Sequence, residues 1–247
     1  MFTKKYNGSR KHILKWISSK NFLRSVNSLI CLSGAQISED DIKYPNAFTT
    51  REAELRDFLS ENFDSNIAND FEDWWLGSRT RSYTTHKWDL ISTCKIDDKK
   101  GILLVESKAH WDEIKTEGKI YKQNYSQAER HYHKKICNAI DDSNYVLSEL
   151  KPGVSVSPGT CYQLSSHIAH AYFLAQQGIP VVLLYLGCIN ASYKLKKLGL
   201  KPFRTNDEWQ NCFHNAAKLI GADLLLDEKL TIGKASFTLL CESIHVA

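Results

Sequence analysis

The chain has 247 residues, of which 43% are hydrophobic and 24% charged, with a formal net charge of +4. That length suits one large domain, or one domain with an appendage, and the composition excludes disordered and collagen-like classes. No apolar run approaches the ~18 residues that a membrane-spanning helix needs; the longest, Val181 to Leu186, has the length of a strand, so no membrane partner is expected.

The charge is unevenly placed. The first 38 residues hold no Asp or Glu, yet carry Lys4, Lys5, Arg10, Lys11, Lys15, Lys20 and Arg24. Residues 1–47 therefore read as a basic, helical N-terminal extension, amphipathic from Ile13 to Ile30. Such a segment can grip phosphates or pack on the domain. With Ser9, Ser18 and Ser19 it also has a superficial likeness to an organellar transit peptide. Residues 48–247 form the main domain, with a charged helical insert at about 112–160. Seven cysteines lie at positions 31, 94, 137, 161, 188, 212 and 241, an odd number without a CxxC pair, which disfavours a zinc ribbon. No secretory leader is read, and Cys94 and Cys188 fall in strand-like runs. A reducing, cytoplasmic setting is expected.

In chain order, Thr49 or Thr50 looks like the N-cap of a helix over Arg51 to Phe63, with Leu55, Phe58, Leu59 and Phe63 as its apolar stripe. Trp74 and Trp75, within Asp73 to Gly77, suggest a packing segment. Strands are expected over Lys87 to Ile96 and Gly101 to Ala109, joined by the polar turn Asp97-Asp98-Lys99-Lys100. A helix follows near Ser126 to Ile140, then a loop over Lys151 to Gly159. Tyr162 to Gln177 is helical, with Gly178 at the C-terminal cap and Pro180 barring continuation. Val181 to Leu186 reads as a buried strand, Asp207 to Ile220 as a helix capped by Thr205 or Asn206, and Ala235 to Cys241 as a last strand. The order gives an α/β fold, a mixed central sheet flanked by helices.

The hairpin brings chemistry together. A turn centred between Asp98 and Lys99 sets Asp89 opposite Lys108 and Ile91 opposite Glu106. Side chains alternate faces along a strand, so Asp89, Glu106 and Lys108 then project from one face. Glu106 and Lys108 follow Ile102-Leu103-Leu104-Val105, apolar on both faces and hence an interior strand. Charges there need a partner or a metal. Two adjacent carboxylates repel, and a cation resolves that repulsion. Mg²⁺ takes one or two carboxylates plus waters and phosphate oxygens. Lys108 can hold the attacking water and offset charge on the phosphate, the parts that metal-assisted phosphodiester hydrolysis needs.

These residues, Asp89 and then Glu106-Ser107-Lys108 after an apolar strand, resemble the PD-(D/E)XK superfamily of restriction and repair endonucleases. The stretches Trp88-Asp89-Leu90-Ile91 and Leu103-Leu104-Val105-Glu106-Ser107-Lys108-Ala109-His110 carry the resemblance, which covers roughly residues 50–187. The chain is particularly similar to an uncharacterised bacterial branch with a Glu-x-Lys-Ala-His stretch. Trp88 stands where the motif's name has proline. The resemblance implies a restriction-endonuclease-like core, with Mg²⁺ (or Mn²⁺ in its place) on Asp89 and Glu106 and with Lys108 assisting the water. It also implies a further acid from the first helix, Glu52 before Glu54, and a site role for Gln163. The partner would be nucleic acid, DNA ahead of RNA, and a homodimer would suit double-strand cutting. The alternatives are a non-catalytic nucleic-acid-binding or scaffold protein of the same fold, and a hydrolase of another phosphoester. His167 and His170 share the stripe of Gln163 and Ser166, either as a polar wall of the site or as a partly solvated face. His110 and Glu113 either extend the site or begin a loop.

Overall fold

The structure, a computed structural model, describes residues 8–46, 53–77, 85–191 and 199–246. Helices α1 (Arg10–Ile17) and α2 (Phe22–Ile30) lead into short strands β1 (Ala35–Gln36), β2 (Lys43–Tyr44) and β3 (Ala53–Glu54). Next come α3 (Leu55–Asn62), α4 (Ser65–Trp75), β4 (Lys87–Trp88), β5 (Leu90–Ile96) and β6 (Lys99–Lys108). The long α5 (Gln127–Leu150), α6 (Tyr162–Gln176), β7 (Val181–Ile189), α7 (Asn206–Lys218), β8 (Lys229–Ile232) and β9 (Ala235–His245) complete the chain. Seven of these strands form one sheet in the order β1-β5-β6-β7-β9-β8, with β2 also on β5. The sheet is mixed: β5–β6 and β8–β9 are antiparallel, whereas β7 runs parallel to both β6 and β9.

The β5–β6 hairpin turns on Asp97 (φ 47°) and Asp98 (φ 63°). Two left-handed residues match the twist of the flanking strands, and short acidic side chains tolerate that conformation. The centre therefore lies between Asp97 and Asp98, one residue earlier than the sequence suggests, so Leu90 pairs with Val105 and Ile91 with Leu104. From Leu90 onward the residues of the hairpin keep their expected faces, because the pairing moves by two positions.

All nine residues of β7 are buried, as expected for a strand with parallel neighbours and helices on both sides. On one face Ile91, Ile102, Leu104 and Leu183 pack against Leu55 and Phe58 of α3, Ile168 of α6 and Phe213 of α7. On the other, Leu90, Leu103, Val105, Val182 and Leu184 pack against Ile13 and Leu14 of α1 and Val26 and Ile30 of α2. The basic segment thus supplies an apolar layer of the domain while Lys15, Lys20 and Arg24 stay at the surface.

Local differences have local causes. Helix α3 starts at Leu55, because Ala53 and Glu54 are extended and pair with Trp88 and Lys87; Thr49, Thr50 and Arg51 lie outside the described residues. Trp74 and Trp75 end α4, where Trp75 is buried and Trp74 stacks on Phe173. Ser126 opens α5 with a capping box to Glu129, and apolar spacing continues to Leu147, so the helix runs past Ile140. Strand β8, which no sequence signal announces, is a four-residue edge strand.

Candidate active site

The C-terminal end of β6 carries Glu106 and Lys108 on the same face as Ile102 and Leu104. Their side chains are 10% and 6% exposed, and Nζ of Lys108 lies 2.5 Å from Oε1 of Glu106. Gln163, in the first turn of α6, closes the group. Its Oε1 accepts a 3.0 Å bond from Lys108, and its Nε2 donates a 2.9 Å bond to Oε1 of Glu106. Three residues from two elements therefore share one ring of contacts, and the role expected for Gln163 coincides with a direct link to both charges.

Asp89 is placed differently from the sequence expectation. Trp88 and Ile91 lie in one core and Leu90 in the other, so the alternation slips at Asp89, which forms a bend between β4 and β5. Its Oδ2 accepts 2.7 Å bonds from the backbone N–H and the hydroxyl of Ser107. Asp89 thus docks on the residue between Glu106 and Lys108, and not against Lys108 itself. Burial, and then the charge of Glu106, raise its carboxyl pKa to about 7; the Ser107 bonds and Lys108 oppose that rise.

The oxygens of the two carboxylates are hard donors, the kind Mg²⁺ takes. Oδ1 of Asp89 and Oε2 of Glu106 receive no hydrogen bond from a described residue. One open oxygen on each of two carboxylates is the protein share that Mg²⁺ commonly takes, water filling the rest. Among the described residues no group of three or more His, Cys, Asp or Glu could hold a metal ion.

Glu52 lies outside the described residues. Glu54 is the extended N-cap of α3 and is half-buried. Burial and Asp57 raise its pKa, while Lys87 and hydrogen bonds with Thr85 lower it; none of these residues belongs to the Glu106 group. Glu113 ties the N-terminal layer to the end of β6, since its two oxygens accept the N–H groups of Ala109 and Ser9. His110 stands 3.7 Å from Glu113, beyond hydrogen-bond reach.

His167 and His170 are 1% and 0% exposed, so the face they occupy on α6 is not solvated. Nδ1 of His167 pairs with the hydroxyl of Tyr185 at 2.8 Å, and neither nitrogen of His170 has a partner among the described residues. His86, which no sequence signal singles out, joins them: its ring centroid is 4.8 Å from that of His167 and 5.3 Å from that of His170. Burial holds all three imidazoles neutral; for His86, burial and then Lys119 and Lys108 bring the pKa down to about 4. Beside this cluster opens a cavity of about 530 Å³, bounded by α4, β4, the start of α5 and the first residue of α6. Helical spacing puts Gln163 and the histidines of α6 on one stripe, and the resemblance singles out Gln163, whereas His86 and the cavity arise from chain segments that meet only in the fold. No family model matches the chain, and neither a curated protein nor a solved structure matches it.

Proposed function

We propose that the protein is a Mg²⁺-dependent nuclease with a restriction-endonuclease-like core, hydrolysing phosphodiester bonds in nucleic acid, DNA ahead of RNA. The observation that carries this reading is the buried contact of Glu106, Lys108 and Gln163 at the end of an interior strand, with Asp89 docked one residue away. The order α3, hairpin β5–β6, α6 and parallel strand β7 supports the core assignment. Asp89 and Glu106 would hold the metal through their open oxygens. A divalent cation bound there supplies Lewis-acid polarisation of a phosphate oxygen and a more acidic water. Lys108, fixed by Glu106 and Gln163, presents an ammonium that orients the water and offsets charge growing on the phosphate. Gln163 keeps that ammonium aimed by bonding to both partners.

A second reading has its own support. The close Lys108–Glu106 pair already balances one carboxylate, and the described residues offer no three-ligand group. Both facts suit a non-catalytic nucleic-acid-binding or scaffold protein. Incubation of wild type, Glu106→Gln and Lys108→Ala with plasmid, single-stranded DNA and RNA, with and without Mn²⁺, separates the two. The nuclease reading expects cation-dependent cleavage by wild type alone, with nucleic-acid binding retained in the variants. Absence of cleavage, together with no Mn²⁺ binding by calorimetry, would leave the scaffold.

A further inference from the structure

The cavity beside the site has a recognisable chemistry. Its walls include the rings of Trp75, Tyr125, Tyr132 and Tyr162, and its volume of about 530 Å³ leaves room for a flat heterocycle and part of its sugar. It shares a helix turn with the Glu106 group. Tyr162 precedes Gln163 in α6, the Ser166 hydroxyl donates to the Gln163 carbonyl at 2.8 Å, and Nε2 of His86 lies 2.9 Å from the same hydroxyl. The cavity wall is therefore joined to Glu106 and Lys108 through the first turn of α6.

The polar groups of the wall suit an uncharged ring better than a phosphate. His86 is neutral, and its Nδ1 has no hydrogen bond from a described residue. Glu129, whose Oε2 accepts the Ser126 N–H, adds a carboxylate, which would repel a phosphate and can accept from an exocyclic amine through Oε1. Lys119 is held to one side, donating to the Tyr162 hydroxyl at 3.1 Å and lying 4.5 Å from the centre of the Tyr162 ring. At the mouth, Ile120 and Tyr121 are 72% and 51% exposed, and Tyr121 packs edge-on against Tyr125. An exposed aromatic lip leading into an aromatic-walled recess is how sequence-tolerant sites take bases out of a single strand.

We propose that this cavity receives one unstacked nucleobase of the bound strand, so that the strand offered to Glu106 and Lys108 is single-stranded or has a base turned out. The base-binding part stands on the cavity alone; that the bound strand is also the substrate rests on the nuclease reading.

The test uses the full chain in EDTA and follows fluorescence anisotropy of a labelled oligodeoxycytidylate, whose bases carry an exocyclic amine, and of an abasic oligomer with the same number of phosphates. The base-bearing strand should bind at least about tenfold more tightly, the scale of one stacked base. Tyr125→Ala, which removes a half-buried ring, and Tyr121→Ala, which removes the exposed ring packed on it, should each reduce that ratio without changing the thermal unfolding midpoint. Equal affinity for the two oligomers, no binding of either, or a ratio that both variants leave intact overturns the base pocket. Base-selective binding without cleavage in Mn²⁺ would keep the pocket and sink the nuclease reading. Cleavage without base selectivity would do the reverse.

Discussion

Asp89 receives two 2.7 Å hydrogen bonds from a single residue, Ser107, which stands between the two charged residues of β6. The bonds fix the carboxyl in a bend where no ladder partner holds the backbone, and burial there favours its neutral form.

That preference links stability to pH. The folded pKa of about 7 exceeds the ordinary 3.8, so the folded chain binds this proton more tightly than the unfolded one. In metal-free protein the stabilising contribution is complete below about pH 4 and is lost as pH rises towards 7, a change on the order of 4 kcal/mol. His86 acts in the opposite sense, since its pKa is lowered and its contribution is lost on acidification. The difference between wild type and Asp89→Asn isolates the aspartate. In urea unfolding with EDTA, Asp89→Asn should gain on wild type as pH goes from about 4 to about 8. A difference that stays flat across that range contradicts the assignment.

Lys108 and Glu106 form a pair with little solvent to replace a missing partner. Lys108→Met or Glu106→Gln alone should cost about 3 kcal/mol of stability, because each leaves a buried polar or charged group uncompensated. The double variant should recover a good part of that loss. Additive losses in a double-mutant cycle would mean that the two groups do not depend on each other.

Gly187 lies beside Lys108 in the parallel ladder, and a Cβ there would stand 2.4 to 2.6 Å from ring carbons of the fully buried Trp209. The indole has no room to retreat, so Gly187→Ala should lower stability by about 1–3 kcal/mol. Thermal unfolding measures it. An unchanged midpoint would show that the β7–α7 contact is looser than these distances require.

Much of the site can be read from the residues themselves. Glu106 and Lys108 are two positions apart on a strand with apolar neighbours on both faces, so their shared direction and burial follow from backbone geometry. Gln163 follows from the family resemblance, and the contact with both charges supplies a physical reason for it. The position of Asp89 is less legible. The turn sequence holds two adjacent aspartates and two adjacent lysines, and only φ values at Asp97 and Asp98 choose among the registers. The bend at Asp89 then reverses the local alternation, which no periodicity announces.

Near neighbours along the chain are enough to specify the α/β pattern, the interior strand ending in Glu106 and Lys108, and the helix that begins at Tyr162, because strand alternation, helical spacing and caps act over a few residues. Packing of distant segments settles the rest. It lays the acid-free first helices over one face of the sheet, docks Asp89 on Ser107, and brings His86 to His167 and His170 beside an aromatic cavity. Those contacts join residues far apart in the chain, and their geometry depends on how whole layers bury apolar area together, an energy shared across the domain and written in no single segment.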